Sequence, residues 1–130
     1  MSDDPRAVTH PKFRMWLRPD GVVQMTWVSQ AVIGLEDATA AIAVMTELTG
    51  GRRSPLSVDL HDGGQPSRLA RVEFTRHDDL VSAVALIVGT PLSRVMGNFF
   101  LSVTRPPYPI RLFDDEASAL SWLRAFVGSR

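Results

Sequence analysis

From Phe13 the chain alternates: Phe13, Met15 and Leu17 fall on one side, Arg14, Trp16 and Arg18 on the other. Pro19-Asp20-Gly21 makes a turn, after which Val23, Met25 and Trp27 resume the alternation against Val22, Gln24 and Thr26. A two-residue period on either side of a turn predicts a β-hairpin. The period then changes. Leu35, Ala38, Ile42, Met45 and Leu48 recur at the spacing of one helical face; Gly34 ends the loop before them and Gly50-Gly51 stops the helix. Beyond Pro55, Leu56–Leu60 reads as a short strand that runs into the turn-forming His61-Asp62-Gly63-Gly64-Gln65-Pro66. A helix of about two and a half turns starts at Ser67, with sparse apolar positions at Leu69, Val72 and Phe74.

Val81, Val84, Ala85, Leu86, Ile87 and Val88 form an almost unbroken apolar run, the signature of a parallel strand covered on both faces, and predict the middle of the sheet. Thr90 as N-cap and Pro91 at the first helical position open a helix with Leu92, Val95, Met96, Phe99, Phe100 and Val103 on one broad apolar face. Arg105-Pro106-Pro107 ends it, and Tyr108–Phe113 predicts the last strand. Asp114 is read as the cap of a final helix carrying Ala117, Leu120, Leu123 and Val127, with Asp115 and Glu116 suited to its positive end.

The order ββαβαβαβα predicts an α/β domain with a single five-stranded mixed sheet, its N-terminal β-hairpin followed by mostly parallel strands, with helices on both faces. Met1–Lys12 offers no periodicity and reads as a flexible leader, leaving residues 13–130 as one domain. A chain of 130 residues, 45% of them hydrophobic, can bury a core without staples. Lys plus Arg (14) balances Asp plus Glu (14), so no overall field draws the protein to nucleic acid or an anionic membrane. Cysteine is absent, which excludes disulfides, thiolate metal sites and thiol nucleophiles. Neither a secretory signal nor an apolar run of roughly 20 residues is visible, so a cytoplasmic location is expected.

The element order, together with Leu56–Arg71, resembles STAS-type domains, the fold of anti-sigma-factor antagonists and of the cytoplasmic parts of sulfate transporters. Val58-Asp59-Leu60 looks like that family's apolar-Asp/Asn-apolar triplet, and Ser67 sits where its phosphorylated switch serine falls. Pro66 stands where the family carries aspartate, and no Ser-Gly pair follows. Over Phe13–Phe126 the chain is most similar to uncharacterised bacterial proteins of this superfamily. The resemblance implies a non-enzymatic regulatory module that docks on a protein partner or on itself as a homodimer, with Ser67 as phosphorylation candidate.

Ligands of open parallel sheets sit beyond the carboxyl ends of the strands. If the third and fourth strands are neighbours, His61, Ser67, Arg68, Arg71, Thr90, Ser93 and Arg94 gather at two helix N-termini, an arrangement that suits a small anionic ligand. The alternative function is therefore a small-molecule or anion-binding domain. The wide apolar arc of the helix after Thr90 makes Met96, Phe99 and Phe100 interface candidates. His10, His61 and His77 lack metal-ligand spacing, and neither Gly50-Gly51 nor Gly63-Gly64 sits in a phosphate-loop pattern, so neither metal nor cofactor is expected. His61-Asp62 with Ser67 does not make a catalytic constellation, because adjacent loop residues rarely point together. The Arg14-Trp16-Arg18 stripe reads as a helix-covered sheet face rather than a nucleic-acid surface.

Overall fold

The structure is a computed structural model, and it describes residues 7–28, 31–60, 64–104 and 107–127. Eight strands and four α-helices follow one another: β1 (Val8–His10), β2 (Phe13–Leu17), β3 (Val23–Trp27), β4 (Ala31–Ile33), α1 (Leu35–Thr49), β5 (Ser54–Asp59), β6 (Gly64–Pro66), α2 (Arg68–Arg76), β7 (Val81–Ile87), α3 (Pro91–Thr104), β8 (Ile110–Phe113) and α4 (Glu116–Leu123). Single 3-10 turns at Asp78–Leu80 and Arg124–Phe126 complete the chain.

The mixed α/β fold read from the sequence is present, with the main sheet in the order β1-β2-β3-β5-β7-β8. β1, β2 and β3 pair antiparallel, and β3, β5, β7 and β8 run parallel. Six strands rather than five form this sheet, because β1 lies inside the segment read as a leader. Val8, Thr9 and His10 are too few to show a period, yet they pair with Met15, Arg14 and Phe13, and the His10 ring stacks on Phe13 at 4.4 Å. Two loops carry further pairing: β4 and β6 form a separate parallel ladder, Ala31 opposite Gly64 and Ile33 opposite Pro66. Gly64-Gln65-Pro66 carries no strand propensity, and the three residues Ala31-Val32-Ile33 are too few to show a period.

Two other expectations shift. β7 is buried along its whole length, as its apolar run requires, but it lies between β5 and the edge strand β8 rather than at the centre. Asp115, not Asp114, caps α4: its carboxylate accepts from the Ser118 N–H at 2.7 Å, while Asp114 pairs with Arg94. Either aspartate suits a cap, and which one has it depends on where β8 releases the chain.

The helix starts and stops otherwise follow local chemistry. The N–H of Gly34 donates to Asp37 at 2.9 Å, and Gly50 adopts φ 66° to end α1. Ser67 Oγ accepts from the Ala70 N–H at 3.1 Å at the head of α2. At α3, Thr90 and Ser93 exchange hydrogen bonds, each backbone N–H donating to the other's hydroxyl at 3.1 Å.

Alternation of strand side chains divides the sheet into two faces. Met15, Val23, Met25, Val58, Val84 and Leu86 belong to the larger core, beneath α1, α2 and α3. Val22, Ala83, Ala85 and Ile87 face α4 and pack on Ala119, Leu120 and Leu123. Among the described residues no helix is long and apolar enough to cross a membrane.

Candidate functional site

Two of the three helices over the larger core, α2 and α3, leave large apolar side chains facing outward. In α3, Leu92, Val95 and Phe99 (63%, 65% and 59% exposed) face outward, while Ser93, Met96 and Gly97 face the sheet. α2 repeats the pattern, with Leu69 and Val72 exposed and Ala70, Phe74 and His77 inward. α1 contributes Ala41, Ile42 and Met45 to the inner surface. Small inward residues leave space, since a void arises wherever side-chain volume falls short of the gap between layers.

The result is a cavity of about 110 Å³ between the sheet and the three helices. Its floor is Met15, Met25, Trp27, Leu56, Val58, Val84, Leu86 and Ile110. Leu60, Ile33 and Pro66 close the end near the carboxyl ends of the strands, and Leu80, Val81, His77 and Tyr108 lie toward the amino ends of β7 and β8. The lining is overwhelmingly apolar. Four of the chain's five methionines, Met15, Met25, Met45 and Met96, contribute to it, and their unbranched thioethers can adapt to different shapes. At Gly97 α3 lies close against the sheet: a Cβ there would meet Leu112 at 3.0 Å and Val88 at 3.3 Å.

The residues singled out from the sequence take other positions. β5 and β7 are parallel neighbours, so the carboxyl ends on which the anion arrangement depended are side by side. The arginines there have separate partners: Arg71 donates to the Pro66 carbonyl at 3.0 Å, Arg94 pairs with Asp114, and Arg68 is exposed. Ser67 is an exposed helix cap, and Thr90 and Ser93 cap each other. Met96 lines the cavity and Phe99 faces away from it. His61 and the side chain of Phe100 lie outside the described residues.

Tyr108, His77 and Gly97 border the cavity and were not singled out by sequence reasoning. Gly97 carried the one usable signal, since a glycine inside a helix marks close approach of backbone. Burial pushes the Tyr108 phenol up, with the negative charge of Asp78 adding to it, to about 12. Among the described residues no group of three or more His, Cys, Asp or Glu is placed to hold a metal.

A family model described as a domain of unknown function, DUF7793, matches residues 15–127. No curated protein matches the chain. An uncharacterised DUF3478-family protein with a SpoIIAA-like fold from Shewanella loihica PV-4 superimposes with a TM-score of 0.63 at 17% identity, over 89% of this chain and 97% of that one. At that identity the likeness concerns the fold, and it places this chain in the SpoIIAA-like, STAS-type architecture. A protein of unknown function from Arthrobacter sp. FB24 is 31% identical over 84% of this chain and 96% of its own, with a TM-score of 0.33.

Proposed function

Since the chain belongs to the DUF7793 family, whose function is unknown, we propose a role from its own geometry: it is a binding module that takes a small apolar molecule into the cavity beneath α1, α2 and α3. The observation that carries this reading is the cavity itself, a methionine-rich apolar space under helices that turn Ser93, Gly97, Ala41 and Ala70 inward while Leu92, Val95, Phe99 and Leu69 face solvent. Apolar cavities of this scale stay dry and accept apolar guests, because a guest restores the contacts that the lining lacks. The reading is one of binding rather than catalysis: the Ser93 hydroxyl is engaged by Thr90, and His77 by Glu73.

Organic extraction and mass spectrometry of the protein purified from its native cells tests this. An apolar compound should be recovered from the wild type and lost from Ala41→Phe, which fills the cavity. An empty extract, together with no thermal stabilisation by any neutral apolar compound, would overturn the reading.

A second reading, the regulatory protein-interaction module of STAS type, is favoured by the outer surface of the same helices. Leu69 and Val72 on α2 and Leu92, Val95 and Phe99 on α3 form apolar stripes at i, i+3 and i, i+3, i+7 on neighbouring helices. This reading keeps Ser67, at the head of α2, as the residue whose phosphorylation would alter docking on a protein partner or on a second copy.

A further inference from the structure

Apart from the indole of Trp27, three polar side chains border the cavity: Ser93, His77 and Tyr108. Two are engaged within the protein. Ser93 Oγ accepts from the N–H and hydroxyl of Thr90 and donates to its carbonyl, at 3.1, 2.8 and 3.0 Å. His77 Nε2 lies 3.1 Å from Glu73 Oε2. The Tyr108 hydroxyl has no hydrogen-bond partner among the described residues, although the residue is half-buried against the core. A phenol in that position is a donor awaiting an acceptor, because its proton stays on at any ordinary pH and its burial removes part of its water.

The charges at this end of the cavity decide what acceptor it can take. Glu73 holds His77, and the field of Asp78 reaches Tyr108. The neighbouring cation, Arg76, is 68% exposed and pairs with Glu73 at 3.2 Å. A carboxylate or phosphate entering here would meet two carboxylates and lose its hydration in an apolar space, and an ammonium would have to give up its water for partners already engaged. An uncharged oxygen meets neither obstacle. Size sets the second limit: a cavity of about 110 Å³ is somewhat smaller than the roughly 150 Å³ that holds benzene, and suits a guest of about five or six heavy atoms.

Resting on the reading of the cavity as a ligand site, we propose that it selects a small uncharged molecule with an apolar body and one terminal hydrogen-bond acceptor, such as a short-chain ketone, ester or alcohol, seated on the Tyr108 hydroxyl. Isothermal titration calorimetry of the full chain with 2-pentanone, 1-pentanol, butanoate, pentylamine and pentane tests it, because these probes have five or six heavy atoms, share a short apolar body and differ at one end. The ketone and the alcohol should bind about tenfold tighter than the acid and the amine. Tyr108→Phe should weaken 2-pentanone about fivefold, toward pentane, while leaving pentane itself unchanged; the pentane result shows that the variant retains the cavity. Butanoate or pentylamine binding as tightly as 2-pentanone, or Tyr108→Phe binding 2-pentanone as wild type does, would overturn the selectivity while leaving the cavity a ligand site. Failure of all five probes to bind would overturn the ligand site itself, and the selectivity with it.

Discussion

The two faces of the sheet are closed by different means. On the α4 side, Ala83 and Ala85 make a shallow floor into which Leu120 and Leu123 fit, and Phe113, Trp122 and Phe126 border it with ring centroids 5.6 and 5.0 Å apart. On the other side three helices cover the sheet, but their inward residues include Ala41, Ala70, Ser93 and Gly97, and a cavity remains. Both faces bury apolar surface, so both benefit from its removal from water. Only the α4 face combines burial with complementary volume, and the difference teaches that a residue can be buried without being packed.

Truncation is the strongest way to break this comparison. Leu123 is fully buried beneath α4, so Leu123→Ala should cost roughly 2–5 kcal/mol in urea unfolding, the lost transfer energy plus a new void. Met96→Ala, which only enlarges a space that exists, should cost less than about half as much. Equal losses would mean that the two faces are equally well packed.

Enlargement should separate the faces in the opposite direction. Ala85→Leu drives three extra carbons into the α4 contact and should cost about 1–3 kcal/mol. Ala41→Leu, 2% exposed but bordering the cavity, should lie within about 1 kcal/mol of wild type. A large loss from Ala41→Leu would show that the cavity lining cannot accept added volume.

The packed face and most of the fold were legible in the sequence, and the cavity was not. The hairpin, the buried run of β7, the Thr90-Pro91 helix start and the Gly50 stop are local signals, and each is where the spacing put it. The apolar stripe of α3 was also visible, but a period reports which residues share a helix face and not whether that face meets the sheet. Leu92, Val95 and Phe99 outrank Ser93, Met96 and Gly97 in hydrophobicity, and the structure turns the weaker set inward because Gly97 lets α3 approach Leu112 and Val88. The same inversion in α2 exposes Leu69 and Val72, whereas α1 turns its predicted face inward, with Ala38 and Met45 buried and Ile42 and Leu48 packed against the core. A void has no residue of its own, so its shape depends on tertiary packing that no single stretch encodes.

If packing contributes less on the cavity face, other contacts must hold its helices, and Asp37 is one that can be titrated. Lys12, in the turn between β1 and β2, donates to the Val32 carbonyl and to Asp37 Oδ2, both at 2.8 Å, and the same oxygen accepts from the Gly34 N–H at the head of α1. The hydrogen bond from Lys12 outweighs burial and, with the Gly34 N–H and the charges of Lys12 and His10, holds the Asp37 pKa below its usual value. The unfolded chain therefore takes up this proton first as pH falls, so the stability Asp37 contributes is complete above its unfolded pKa and is lost as pH drops through the folded one. Asp37→Asn should cost about 1 kcal/mol at neutral pH, a modest figure because Lys12 is partly exposed. The gap between wild type and variant should then close as urea unfolding is repeated at increasingly acid pH. Asp20 leaves some acid dependence in both proteins: burial works against its charge, but hydrogen bonds from Arg18 and the Val22 N–H and the nearby guanidinium charges prevail and lower its pKa as well. A gap that stays constant with pH would mean that Asp37 acts through shape and capping alone, and that the Lys12 pair does not help to hold α1 over the cavity.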